Sequence, residues 1–109
     1  MLDEQQFKKY CDQTLESLNK ALTRVSDQFD FEADMNNGAL SIEFEEPPAK
    51  FVVSPNTPVR QIWVSAHSRS FKLDWNAEKQ IFLLPDTGQS LQELIAQHIS
   101  QHIHQEVAL

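Results

Sequence analysis

The dipeptide Asn37-Gly38 stands between two runs of alternating apolar and polar residues, and no other feature constrains the fold as much. Before it, Phe31, Ala33 and Met35 alternate with Asp30, Glu32 and Asp34. After it, Leu40, Ile42 and Phe44 alternate with Ser41, Glu43 and Glu45. A period of two belongs to a strand with one face buried. Asn-Gly is a strong signal for a type I′ hairpin, because both turn residues need positive φ. The register follows: Met35 faces Leu40, Ala33 faces Ile42 and Phe31 faces Phe44, all toward the core. On the other face Asp34 meets Ser41, Glu32 meets Glu43 and Asp30 meets Glu45. Pro47-Pro48 ends the second strand, since proline cannot donate to a ladder.

Residues 3–26 have a helical period instead. Phe7, Cys11, Leu15, Leu18, Leu22 and Val25 fall on one stripe. Asp3 and Gln6 form a capping box, and Leu2 and Phe7 take the positions of a hydrophobic staple. Lys8–Asp12 and Glu16–Lys20 are i,i+4 pairs on the solvent side. Beyond the hairpin, strands are expected at residues 50–54, 60–66, 70–75 and 80–84, with turns at 55–58, 67–69 and 76–78. Ser90 and Glu93 make a second capping box, followed by an apolar face of Leu91, Leu94, Ile95, Ile99 and Ile103.

The order is helix, about six strands, helix. Short connections between strands imply an antiparallel meander. Two helices with apolar stripes must share one surface. The expected fold is therefore an α+β two-layer α/β sandwich, with the N- and C-terminal helices packed on one face of the antiparallel sheet. Residues 1–109 are read as a single domain. The second sheet face is left to solvent or a partner.

The charge is localised. The formal net charge is −7, and residues 25–49 contain no Lys or Arg. That window holds Asp27, Asp30, Glu32, Asp34, Glu43, Glu45 and Glu46. The nine acids elsewhere are matched by nine bases. Such a field attracts cations or a basic protein and repels nucleic acid. Glu32 facing Glu43, and Asp30 facing Glu45, are destabilising cross-strand pairs. Hard cations prefer clustered carboxylates. Acids spread over two strands form no fixed cage, so cation binding should be weak and poorly selective. A merely acidic solvated face is the plainer alternative, and the residues alone do not dismiss it.

Trp63 is out of phase with Ile62, Val64 and Ala66, so it stands with Gln61 on the outer face. An exposed Trp beside Gln and Ser is a candidate protein contact, unless a loop covers it. His98 and His102 have a chelating spacing, but they lie near the apolar stripe and read as partly buried helix residues. His67 falls in a turn. Cys11, the sole cysteine, lies on the apolar stripe and reads as core. One thiol cannot hold an iron–sulfur cluster or a cysteine-based zinc site within one chain. Two glycines and no G-x-S-x-G motif speak for a binding or regulatory protein over an enzyme. No apolar run approaches the ~20 residues that span a bilayer. The start Met1-Leu2-Asp3-Glu4 resembles neither a secretory signal nor a transit peptide, so the expected location is cytoplasmic.

Three stretches resemble the frataxin family. Residues 36–42, Asn-Asn-Gly-Ala-Leu-Ser-Ile, resemble its N-x-G-V-L-T-I hairpin. Residues 58–65, Pro-Val-Arg-Gln-Ile-Trp-Val-Ser, resemble its P-x-x-Q-I-W-L-S strand. Residues 71–75, Phe-Lys-Leu-Asp-Trp, resemble the Y-x-D-W-like strand that follows. The short chain is similar to the bacterial branch. The resemblance implies two helices on one face of an antiparallel sheet. It implies weak binding of ferrous and ferric iron, for which other divalent or trivalent cations can substitute. It implies binding to the cysteine desulfurase and the scaffold protein of iron–sulfur cluster assembly, as a regulator and a possible iron donor. It places Asp27, Asp30, Glu32 and Asp34 on an acidic ridge, and Gln61 and Trp63 on the exposed sheet surface. Lys20 and Arg24 dilute the ridge on the first helix, which shifts the expected metal ligands to the hairpin acids, Glu43 and Glu45 included. The expected state is mainly monomeric, with iron-driven oligomers left open. Two other functions are weighed: an acidic interaction module with incidental metal binding, and a ferroxidase that stores iron.

Overall fold

The first capping box forms as expected. Gln6 N donates to Asp3 Oδ1 at 2.8 Å, and Asp3 N donates to Gln6 Oε1 at 3.2 Å. The structure is a computed structural model that describes residues 2–29, 31–45 and 48–109. Helix α1 spans Glu4–Phe29 and so continues past the expected end at Ser26. Val25 and Phe29, one turn apart, both pack against the core, and that burial carries the helix onward. The expected Lys8–Asp12 pair is replaced by Lys8–Glu4 at 3.3 Å, while Glu16–Lys20 forms at 3.5 Å.

The strands are β1 (Phe31–Asn36), β2 (Ala39–Glu45), β3 (Pro48–Asn56), β4 (Gln61–Ala66), β5 (Arg69–Asn76) and β6 (Ile81–Leu83). Among the described residues they form a six-stranded antiparallel meander in sequence order. Asn37 and Gly38 take φ of 56° and 81°, as a type I′ turn demands. The register Phe31↔Phe44, Ala33↔Ile42, Met35↔Leu40 is the expected one. Met35 nevertheless stays exposed, because it sits at the hairpin end, away from the main core.

Strand β3 runs through the segment expected to turn. Pro55 pairs with Ile62, and Asn56 with Gln61. The β2 ladder stops at Val53, so Pro55 has a neighbour on one side and its missing N–H is tolerated. A short 3₁₀ turn, Thr57–Val59, then leads to Arg60 in the left-handed region, and β4 starts one residue later than expected. Arg60 Nε donates to Leu2 O at 3.3 Å and its guanidinium also donates to Thr57 O, tying this loop to the N-terminus.

Helix α2 spans Leu91–Ile103 with the expected Ser90–Glu93 capping box. Hydrogen bonds to Ser90 hold the Glu93 carboxyl below its usual pKa. Both helices cover the inner sheet face, where Phe7, Leu15, Leu18, Leu22, Ile42, Phe51, Ile62, Leu73, Phe82, Leu94 and Ile95 meet in one core. Tyr10 stacks on Trp75 at 4.5 Å, and Phe7 meets Phe82 edge-on at 5.9 Å. Among the described residues, no helix is long and apolar enough to cross a membrane.

Cys11 is 1% exposed, as its place on the apolar stripe foretold. Burial, with a smaller push from the Asp12 charge, raises its thiol to about 12. The thiolate is the reactive form. Alkylation of folded protein near neutral pH should therefore proceed no faster than unfolding, and rapid labelling without denaturant would contradict this burial.

Candidate functional site

The hairpin and the end of α1 build one acidic hollow. Asp27, Glu32, Glu43 and Glu45 line it, with Ser26, Phe31 and Phe44, around a volume of about 520 Å³. Asp27 reaches it because α1 continues beyond Ser26. That last helical turn has no basic residue, so the partial negative charge of the helix C-terminus adds to the carboxylates. Glu32 stands directly opposite Glu43. The next neighbour of Glu43 is Lys50, whose Nζ lies 3.9 Å from Glu43 Oε1, with both side chains largely exposed. An exposed pair at that distance compensates little. Among the described residues, Asp27, Glu32, Asp34 and Glu45 have no cationic partner within ion-pair distance.

The expected ligands therefore divide. Asp27, Glu32, Glu43 and Glu45 come together in the hollow. Asp34 is exposed further along β1, outside it. Asp30, with its expected pairing to Glu45, lies outside the described residues, as does Glu46. Among the described residues, no three His, Cys, Asp or Glu side chains are grouped closely enough to hold a metal ion. The hollow is an open field of oxygen donors.

The expected partner surface lies on the same outer face of the sheet, where Ser54, Trp63 and Lys72 stand in one cross-strand row. Trp63 is 38% exposed. Its Nε1 donates to Gln61 Oε1 at 3.0 Å, and Gln61 Nε2 donates to Asp74 Oδ1 at 2.9 Å. The Lys72 ammonium lies 5.0 Å from the indole centroid. The ring is thus oriented by its own strand neighbours and keeps an accessible face.

A third grouping escaped sequence reasoning. His67 and Ser68 form a two-residue hairpin turn with φ of 52° and 63°, linking β4 and β5. This turn reaches α2. His67 Nδ1 lies 3.2 Å from His98 Nδ1, and His67 Nε2 lies 3.4 Å from His102 Nδ1. His98 is 5% exposed, against Phe51 and Phe71. Burial, then the His102 charge, lowers the His67 pKa. Burial, then His67 and Arg69, lowers that of His98. The i,i+4 spacing of His98 and His102 was visible in sequence. That a turn histidine would meet them was not.

A frataxin-like domain model matches residues 1–105 of the chain. The chain belongs to the frataxin-like family. Two of its relatives carry the name "Iron-sulfur cluster assembly protein CyaY". That of Azotobacter vinelandii is 28% identical over 95 residues, covering 85% of this chain and 86% of its own. That of Pseudomonas fluorescens Pf0-1 is 28% identical over 102 residues, covering 92% and 88%. The solved structure of frataxin from Psychromonas ingrahamii superposes with a TM-score of 0.76 over 98% of this chain and 97% of that one. At 16% identity this last likeness speaks for the fold, two helices on a six-stranded open sheet. As a bacterial frataxin, the chain matches the resemblance carried by its hairpin and its Gln61-Ile62-Trp63 strand.

Proposed function

We propose that this frataxin-like chain binds iron weakly at the acidic hollow and acts in iron–sulfur cluster assembly in the cytoplasm. There it docks on the cysteine desulfurase and its scaffold, regulates them and delivers iron. The observation that carries this reading is the Glu32–Glu43 pair, offset only by an exposed Lys50 at 3.9 Å from Glu43, lining one open hollow with Asp27 and Glu45. Like charges placed directly opposite are costly, so a cation from outside gains by entering. Carboxylate oxygens suit Fe2+ and, more strongly, the harder Fe3+. An open donor set without a cage gives weak binding in which other cations can compete. The CyaY relatives, named as iron–sulfur cluster assembly proteins, support the process.

Fe2+ added to labelled protein should broaden the NMR signals of Asp27, Glu32, Glu43 and Glu45 before those of the rest of the chain, Asp34 included. Broadening confined to His98 and His102 would overturn this placement. In a bacterial lysate the chain should capture the desulfurase and scaffold, and the amount captured should respond to iron. The exposed Trp63, aligned by Gln61, favours a second reading in which the outer face is an interaction module and iron is incidental. Capture would then survive iron removal, fall with salt, and weaken in Trp63→Ala without loss of fold. A ferroxidase has dense acids in its favour and nothing more, and it ranks last.

A further inference from the structure

The acidic hollow makes no use of His67, His98 and His102, although His102 packs on Phe44 at 4.5 Å, one of the residues that line it. The His67 turn is built at a cost. Both of its residues have positive φ, which Gly and Asn adopt most readily, His more readily than most residues, and Ser68 without such a preference. The His67 ring lies between two others, with a nitrogen directed at each: Nδ1 toward His98 Nδ1 at 3.2 Å, and Nε2 toward His102 Nδ1 at 3.4 Å. Phe51 meets the His67 ring edge-on at 5.0 Å, and Phe71 stands 5.0 Å from the His98 ring, so both imidazoles are walled by aromatics.

We propose that His67 and His98 chelate a borderline divalent transition ion, of the Zn2+ and Cu2+ class, through their Nδ1 atoms, with His102 as the residue that orients the His67 ring. Two nitrogens at a metal–nitrogen distance of ~2.0–2.1 Å in a tetrahedral site lie roughly 3.3 Å apart. The observed 3.2 Å needs little movement to fit. With Nε2–H donated to His102 Nδ1, the His67 Nδ1 carries a lone pair, which is how a neighbour commonly sets the tautomer of a ligating histidine. The 3.2 Å contact is then a hydrogen bond from His98 Nδ1–H to His67 Nδ1, and ligation by His98 moves that proton to its Nε2. The remaining coordination positions go to water. His67 is exposed at the β4–β5 turn, which gives ion and water an approach, and the buried His98 also borders an open groove of about 530 Å³ with Ser70, Gln97 and Gln101. Imidazole suits these ions better than it suits Fe3+, so the two sites separate cations by ligand type.

The test uses the full chain and Zn2+ alone at near-neutral pH, followed by long-range 15N–1H spectra of the imidazoles. One equivalent should shift His67 and His98 Nδ1 together and raise the unfolding temperature by linkage. His67→Asn keeps a residue that tolerates the left-handed turn, and should weaken Zn2+ binding more than about tenfold. His102→Gln should weaken it by roughly tenfold while both ligand signals still shift at saturation. Glu32→Gln with Glu43→Gln should leave it unchanged, which separates this site from the hollow. Zn2+ binding that is undiminished in His67→Asn, or that leaves both Nδ1 signals in place, would overturn the proposal.

Discussion

Phe51→Ala should cost about 3–5 kcal/mol of folding stability, a large fraction of the roughly 5–15 kcal/mol that a domain possesses. Phe51 is fully buried in the middle of β3, opposite Ile42. Its ring meets Phe44 at 5.0 Å, and His67, His98 and His102 at 5.0, 6.4 and 6.1 Å. It is the one aromatic ring in contact with all three histidines among the described residues. Removing it leaves a void beneath α2 and beneath the β4–β5 turn together, and neither can settle without lifting away from the other. Urea unfolding should show a lower midpoint with little change in slope. A loss under about 1 kcal/mol would mean that the helical layer collapses onto the vacated space, contrary to the close packing inferred here.

Glu32→Lys should abolish iron-induced broadening at Glu43 and Glu45 and at the same time stabilise the fold by roughly 0.2–1 kcal/mol. The substitution turns the repulsive Glu32–Glu43 pair into an attractive one. It also places a second ammonium beside Glu43, which Lys50 already approaches at 3.9 Å. The hollow would then hold its own cation. Added salt should stabilise the natural chain more than the variant, because screening relieves a repulsion that the variant lacks. If the variant is less stable and binds iron as before, the hairpin acids are neither strained by one another nor the metal donors. The opposed changes in stability and binding distinguish a binding surface from a surface shaped for solubility.

Much of this was legible along the chain, and the reasons are local. Asn37-Gly38 admits one tight turn, so the pairing of Glu32 with Glu43 followed from counting outward. The two capping boxes marked both helix starts, since each satisfies donors within four residues. Trp63 was placed outward by its phase against Ile62 and Val64. The end of α1 was misplaced because the burial of Phe29 is decided by the sheet beneath it. The extension of β3 through Pro55 was missed because the tolerance for proline depends on where the neighbouring strand stops.

Periodicity, turn chemistry and charge placement, which act between residues near in sequence, were enough to determine a helix–meander–helix sandwich with an anionic outer corner. Only the tertiary structure decided that Asp27 joins Glu32, Glu43 and Glu45 while Asp34 does not, and that His67 closes on His98 and His102 across 31 and 35 residues. Those meetings depend on how far each element extends and on how the helical layer settles on the sheet. Both are set by burial summed over the whole core, which no local pattern records.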